Sequence, residues 1–238
     1  SWIKSSYKKY PNCQNVLDLE LQKRFQLIKA KLLAYTHSQD EVLAIYKNKK
    51  NAYDNYALAA NYFFNGDKNK SINIISSLIK NDPFNPFYHE LLGEIYYTLG
   101  NYDLAIYEQR KTMQLLSKNN DLHLMMLGSY LLAESSKESI IDSISALNKS
   151  LVINKTNSYA WYLLAKAYAL NDNLALAQYA SAERYYLRRD KPLALNFAKK
   201  AIKNIDKDTV EWYRANDLIQ LIVGINEKDN KDKTNINE

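Results

Sequence analysis

Leu58-Ala59-Ala60-Asn61-Tyr62-Phe63-Phe64-Asn65-Gly66 and Leu92-Gly93-Glu94-Ile95-Tyr96-Tyr97-Thr98-Leu99-Gly100 stand thirty-four residues apart and match in pattern. Each sets a leucine beside a small residue, places a tyrosine one helical turn later and closes on glycine. A second helix-length apolar segment follows each glycine, and Asp82-Pro83 ends the first unit. Self-similarity at this period reads as a repeated helix-turn-helix unit. A helix of roughly a dozen residues is marginal alone in water. Each hairpin therefore has to bury its apolar face on the next, which predicts a superhelical stack with a concave inner surface.

Period and positions are those of the tetratricopeptide repeat. The expected fold class is all-α: a right-handed α-α superhelical solenoid with a long N-terminal helix and a C-terminal capping helix. Composition agrees, since a chain of 238 residues with 47% hydrophobic content can bury a large core, while five glycines and four prolines leave little material for the turns of a β protein. No run of eighteen apolar residues exists, so no transmembrane segment is expected, and the first residues lack the apolar stretch of a signal peptide. The chain opens on Ser1 rather than Met, which suits a mature or truncated product. Cys13 is the only cysteine and leaves the redox compartment open. The net charge of +6 arises from 32 basic and 26 acidic residues spread over the whole length. Basic clusters such as Lys199-Lys200 fall near predicted helix ends, where cations are favourable against the dipole, so nucleic acid is not an expected partner.

Along the chain, residues 1–51 read as an extended lead-in followed by N-terminal helices. Val16, Leu19, Leu21, Phe25, Ile28, Leu32 and Leu33 predict one long helix over 14–36, and Ser38 with Glu41 forms a capping box that opens a short second one. The pattern of the long helix allows two placements, as a cap on the first repeat or presented to another chain. Residues 52–223 read as the repeat solenoid with its capping helix. Repeat one spans about 52–85 and repeat two 86–119. In repeat three, about 120–155, the polar stretch Glu134 to Glu138 predicts a protruding loop. Repeat four turns at Asn171-Asp172, and the template then fits again after only seventeen residues, so one helix over about 174–188 serves two neighbouring pairs. Trp212, Ala215, Leu218, Ile219 and Ile222 form the capping helix, begun by Asp208-Thr209. Residues 224–238 are charged and Asn-rich, and a disordered tail is expected.

No catalytic constellation is present, and the chain is not expected to be an enzyme. His89-Glu90 starts a zinc-protease motif, but the second histidine that would share the helix face is replaced by Gly93. His37 and His123 have no partner at ligand spacing, and no phosphate-cradling or nucleophile-elbow motif occurs. No metal and no cofactor are expected. Binding residues are instead sought at positions two, five, nine and twelve of each first helix, which face the inner wall. Those named are Tyr53, Tyr56 and Phe63 in repeat one, Phe87, Glu90, Glu94 and Tyr97 in repeat two, Met125 and Ser129 in repeat three, and Tyr159, Tyr162 and Lys166 in repeat four. Tyrosine offers large contact area with a polar tip at low entropic cost, which suits an extended or helical peptide. The lysine and asparagine of a carboxylate clamp are absent, with Tyr56 and Ala60 in their places.

Three segments resemble the C-terminal half of BepA-type periplasmic zinc metallopeptidases: Asn85 to Glu94, Ala160 to Tyr168 and Glu211 to Leu218. Lys23-Arg24-Phe25 and Ile28 to Leu32 are similar to the linker helix that follows the protease domain in that family. The resemblance covers about residues 15–222 and implies a cell-envelope or periplasmic module that recognises the outer-membrane assembly machinery or its clients. The zinc ligands have no counterpart, so recognition is carried over and activity is not. Two further readings are the substrate-recognition domain of a longer zinc metalloprotease and a secreted or surface-exposed protein that engages host factors. Oligomeric state is left open.

Overall fold

The computed structural model describes residues 19–46, 48, 51–116 and 120–235, with the backbone alone at 19, 20 and 225–235. Among the described residues there are twelve α-helices and no strand. They fall into two compact units that divide between Leu99 and Gly100.

The first unit holds α1 (Leu19–Thr36), α2 (Gln39–Tyr46), α3 (Ala52–Phe64), α4 (Lys68–Asn81) and α5 (Pro86–Thr98). Side-chain caps set these boundaries. Asn51 accepts from the Asp54 amide to open α3, Asp67 from the Lys70 amide to open α4, and Asn85 from the Phe87 amide, with Pro86 as the first residue of α5. The predicted capping box is present, Glu41 accepting from the Ser38 amide at 2.9 Å. At the α3–α4 turn, Gly66 adopts φ +89°, which a side chain would oppose, and the Asp67 amide donates back to the Tyr62 carbonyl at 2.8 Å. The hairpin closes tightly because Ser71, fully buried, donates its hydroxyl to the Ala59 carbonyl at 2.7 Å. The core of this unit gathers Leu27, Ala30 and Ala34 of α1, Tyr56, Ala57 and Ala60 of α3, Ile75 and Leu78 of α4, and Leu91 and Ile95 of α5.

The second unit holds α6 (Tyr102–Leu115), α7 (Asp121–Glu134), α8 (Lys137–Ile153), α9 (Ser158–Leu170), α10 (Leu174–Leu187), α11 (Lys191–Ala201) and α12 (Val210–Asn235). Consecutive helices pack on one another from α6 to α12. The turn seen at Tyr62 recurs here twice. The amides of Asn173 and Asp190 donate to the carbonyls of Tyr168 and Tyr185 at 2.9 and 3.0 Å, and each of the two residues then caps the helix that follows. These turns are seventeen residues apart, and α10 packs on both α9 and α11, the double duty expected of it. One cluster centres on Leu147, Leu164 and Ala180, a second on Ala182, Ala198, Leu218 and Ile219 under α12.

Two expectations need revision. The predicted loop at 134–138 is a two-residue turn: α7 runs to Glu134, Ser135 turns at φ 64° and Ser136 caps α8. Polar residues there serve as cap and turn, not as an excursion. The division between the two units falls inside repeat two. Helix α6 buries Glu108, Gln109 and Thr112 beside Ala105, and Gln109 donates to the His123 carbonyl of α7 at 2.9 Å. The second revision concerns the tail: α12 continues past Gly224 to Asn235, through most of it, while 236–238 lie outside the described residues. The expected lead-in over 1–14 and the first turns of the long N-terminal helix also lie outside them.

Candidate binding faces

In the first unit, α1 lies on the inner face of α3. Leu27, Ala30 and Ala34 present a mostly small-residue stripe to Tyr56, Ala57 and Ala60, all of them buried. Alanines let the two backbones approach closely enough to seal the wall. Tyr56 is therefore 0% exposed, its ring 5.7 Å from that of Tyr88, and it cannot meet a ligand. This corrects its assignment as a binding residue: of the two placements expected for the N-terminal helix, the structure has it packed on the first repeat, over Tyr56. Tyr53 and Phe63 are likewise half-buried against the same core.

Lys31 of α1 reaches across to α5. Its ammonium donates to Glu90 Oε1 at 2.9 Å and to Glu94 Oε1 at 2.7 Å. All three side chains are largely covered, between 19 and 23% exposed, so the pairing is screened less than a surface ion pair. Burial alone pulls the Lys31 ammonium down, but Tyr56, Glu94 and Glu90 outweigh it and hold it well above its ordinary 10.5. Burial pushes the Glu94 carboxyl up, against the pull of Lys31. Two predicted binding residues are thus brought together as an internal latch. Lys31 itself was missed as part of the wall. The available signal was the pairing of a lone cation on the inner stripe of α1 with acids at positions five and nine of α5.

A pH dependence follows. The folded value of Lys31 lies above its unfolded one, so its contribution is fully present below about pH 10.5 and is lost as the pH rises further. Burial raises Tyr56 and Tyr88 in the same sense, Tyr88 to about 12. Urea midpoints followed by circular dichroism are expected to fall between about pH 10 and pH 12, and to fall less steeply in Lys31→Met. Parallel curves for the two proteins would remove the latch from the account.

Phe87 and Glu90 also line a groove of about 540 Å³ whose other walls are Ile28, Lys31, Leu32, Tyr35 and Phe64. Tyr35 meets Phe64 edge to face at 5.3 Å. Tyr97 is half-buried on α5.

In the second unit the predicted residues remain accessible. Tyr159 and Tyr162 stand 52 and 39% exposed on one side of α9, rings 5.8 Å apart, with Lys166 exposed one turn further on. The Arg184 guanidinium of α10 stacks on Tyr162 at 4.5 Å and lies 5.4 Å from Tyr185. Such a contact holds both the ring and the cation in place. Met125, half-buried on α7, accepts at its Sδ from the Asn157 side-chain Nδ2 at 3.3 Å and so abuts the start of α9, and Ser129 is half-buried one turn along α7. Arg184 was not foreseen, because its helix was read only for packing. His89 is buried, its Nε2 3.0 Å from the Pro83 carbonyl. Among the described residues no group of three or more His, Cys, Asp and Glu is placed to hold a metal ion, and no helix is long and apolar enough to cross a membrane.

No family model and no curated protein matches this chain. Solved structures of the tetratricopeptide-repeat protein MamA do. A crystal structure of MamA is 20% identical over 73% of this chain and 97% of its own, with a TM-score of 0.52. The MSR-1 C2 structure of MamA reaches 0.57 at 16% identity, over 71 and 98% of the two chains. The MamA RS-1 ArsTM double mutant reaches 0.55 at 14% identity, over 75 and 96%. Identities this low speak to fold alone. The fold class is the all-α tetratricopeptide-repeat solenoid.

Proposed function

We propose that this chain is a non-catalytic interaction module that binds peptide segments of protein partners on the aromatic face of α9. One observation carries the reading: Tyr159 and Tyr162 stand side by side in solvent, with Arg184 stacked on the second. Aromatic rings left exposed on an otherwise well-packed helix, with a rigidly held cation beside them, provide contact area at little entropic cost and a charge for orienting a chain. Glu90 and Glu94, tied to Lys31, are structural in this reading. The resemblance to BepA-type proteins supports a cell-envelope setting, with outer-membrane assembly machinery or its clients as partners. The zinc-protease alternative would make the same face the recognition surface of a longer enzyme.

The test is photo-cross-linking in cells through a photoreactive residue at Lys166, one turn from the tyrosine pair, followed by alanine substitution. Tyr159→Ala with Tyr162→Ala is expected to reduce capture at least about tenfold while shifting stability by under about 1 kcal/mol, because exposed rings add little to the core. Unchanged capture in the double variant would move the receptive surface elsewhere.

A further inference from the structure

The outward side of α1 carries a second apolar stripe that is left mostly in solvent, Tyr35 alone meeting the Phe64 ring. Leu21, Phe25, Ile28, Leu32 and Tyr35 are between 55 and 71% exposed. They are spaced four, three, four and three residues apart, the alternation of a coiled-coil seam. Scattered exposed leucines mean little, but five large residues in one row, continuous with the groove walled by Phe64 and Phe87, form a contiguous surface. The eighteen residues of α1 extend about 27 Å at 1.5 Å per residue, long enough for a helix to lie along it.

Charge decides what kind of helix. In the register set by the stripe, exposed Lys29 occupies a flanking position that chooses a coiled-coil partner and Arg24, half-buried in a pocket it shares with Asp82, another; Lys23 is exposed nearby, and no acidic residue occurs in α1 after Glu20. The acids that do face the groove side, Glu90 and Glu94, are held by Lys31. A second copy would set cation against cation in either orientation. We infer that the outer stripe of α1 is a docking surface for an amphipathic helix of another protein that carries leucine-like residues on its seam and glutamate or aspartate beside it. The role lies beyond peptide capture on α9 and uses the other unit.

The experiment uses the full chain and a labelled designed helix of three heptads with leucine at the seam and glutamate at the flanks, compared by fluorescence anisotropy with a twin that has lysine at the flanks. The acidic helix is expected to bind at least about tenfold more tightly than the basic one. Ile28→Asp with Leu32→Asp is expected to weaken it at least about tenfold, and Tyr159→Ala with Tyr162→Ala to leave it unchanged. Lys29→Glu, a surface change that spares the packed face of α1, is expected to weaken the acidic helix and strengthen the basic one. Equal binding of the twins, or no binding of either to the folded chain, would overturn the inference. So would a wild-type dimer in sedimentation that the Ile28→Asp, Leu32→Asp variant dissolves, which would make a second copy the occupant. Removal of residues 1–18 raising the affinity at least about tenfold would make that segment the occupant, and would overturn it too.

Discussion

Tyr56→Ala is expected to destabilise the first unit by about 3–5 kcal/mol, the range for deleting a large aromatic side chain from a core that cannot collapse. The ring, carried by α3, is fully buried beneath α1 and against the Tyr88 ring of α5, and the alanines of its cluster are too small to fill the space it would leave. Tyr56→Phe sets the control. The Tyr56 hydroxyl is buried without a hydrogen-bond partner, so losing it removes a desolvated polar group and is expected to be neutral within about 1 kcal/mol, or stabilising. Urea denaturation followed by circular dichroism at neutral pH reads both. An inner wall open to ligands would give the opposite pattern, with an unchanged midpoint for the alanine variant, and would mean that α1 does not lie on α3.

The second large effect belongs to Gly128, where α7 and α8 touch. A Cβ built there would sit 2.6 Å from Cγ and 2.9 Å from Cδ2 of Leu147, which is itself fully buried. The helices are also tied at this point, Ser143 donating to the Gly128 carbonyl at 2.8 Å. Gly128→Leu is expected to cost about 3 kcal/mol, at the upper end of overpacking penalties, because the clash is with the branch point of Leu147 and not with a flexible end. Gly128→Ala costs less and is expected to be partly rescued by Leu147→Ala, so the double variant should be more stable than the sum of the singles by about 1 kcal/mol. Additive effects in that cycle would show that the clash is relieved by some other movement.

Close packing was legible in the sequence as a principle but not at every position. Gly93 and Ala165 follow the repeat template, and Gly93 is buried while Ala165 is half-buried against the second unit's core. Gly128 sits in the repeat whose connection was misread as a loop, and only the contact with Leu147 reveals what it does. Binding residues divide in the same way. Tyr159, Tyr162 and Lys166 lie in solvent, whereas Tyr56 is covered by a helix from outside the repeats. Position within a repeat tells which side of its helix a residue takes. It does not tell what else lies on that side.

The sequence by itself determined the helices and their hairpins: glycine and Asx residues at the turns, caps at helix starts, and a period of thirty-four residues that halves to seventeen near Tyr185. These are local effects, written in a few residues of backbone preference and hydrogen bonding. Only the tertiary structure decided which face of α1 is buried. That helix carries two apolar stripes, and hydropathy favours the one with Phe25, Ile28 and Leu32, yet the one with Leu27, Ala30 and Ala34 packs inward. The reason is steric: a helix can seat against Tyr56 and Ala60 at close range only through small side chains, and that fit depends on two surfaces meeting, which no single stretch of chain specifies alone.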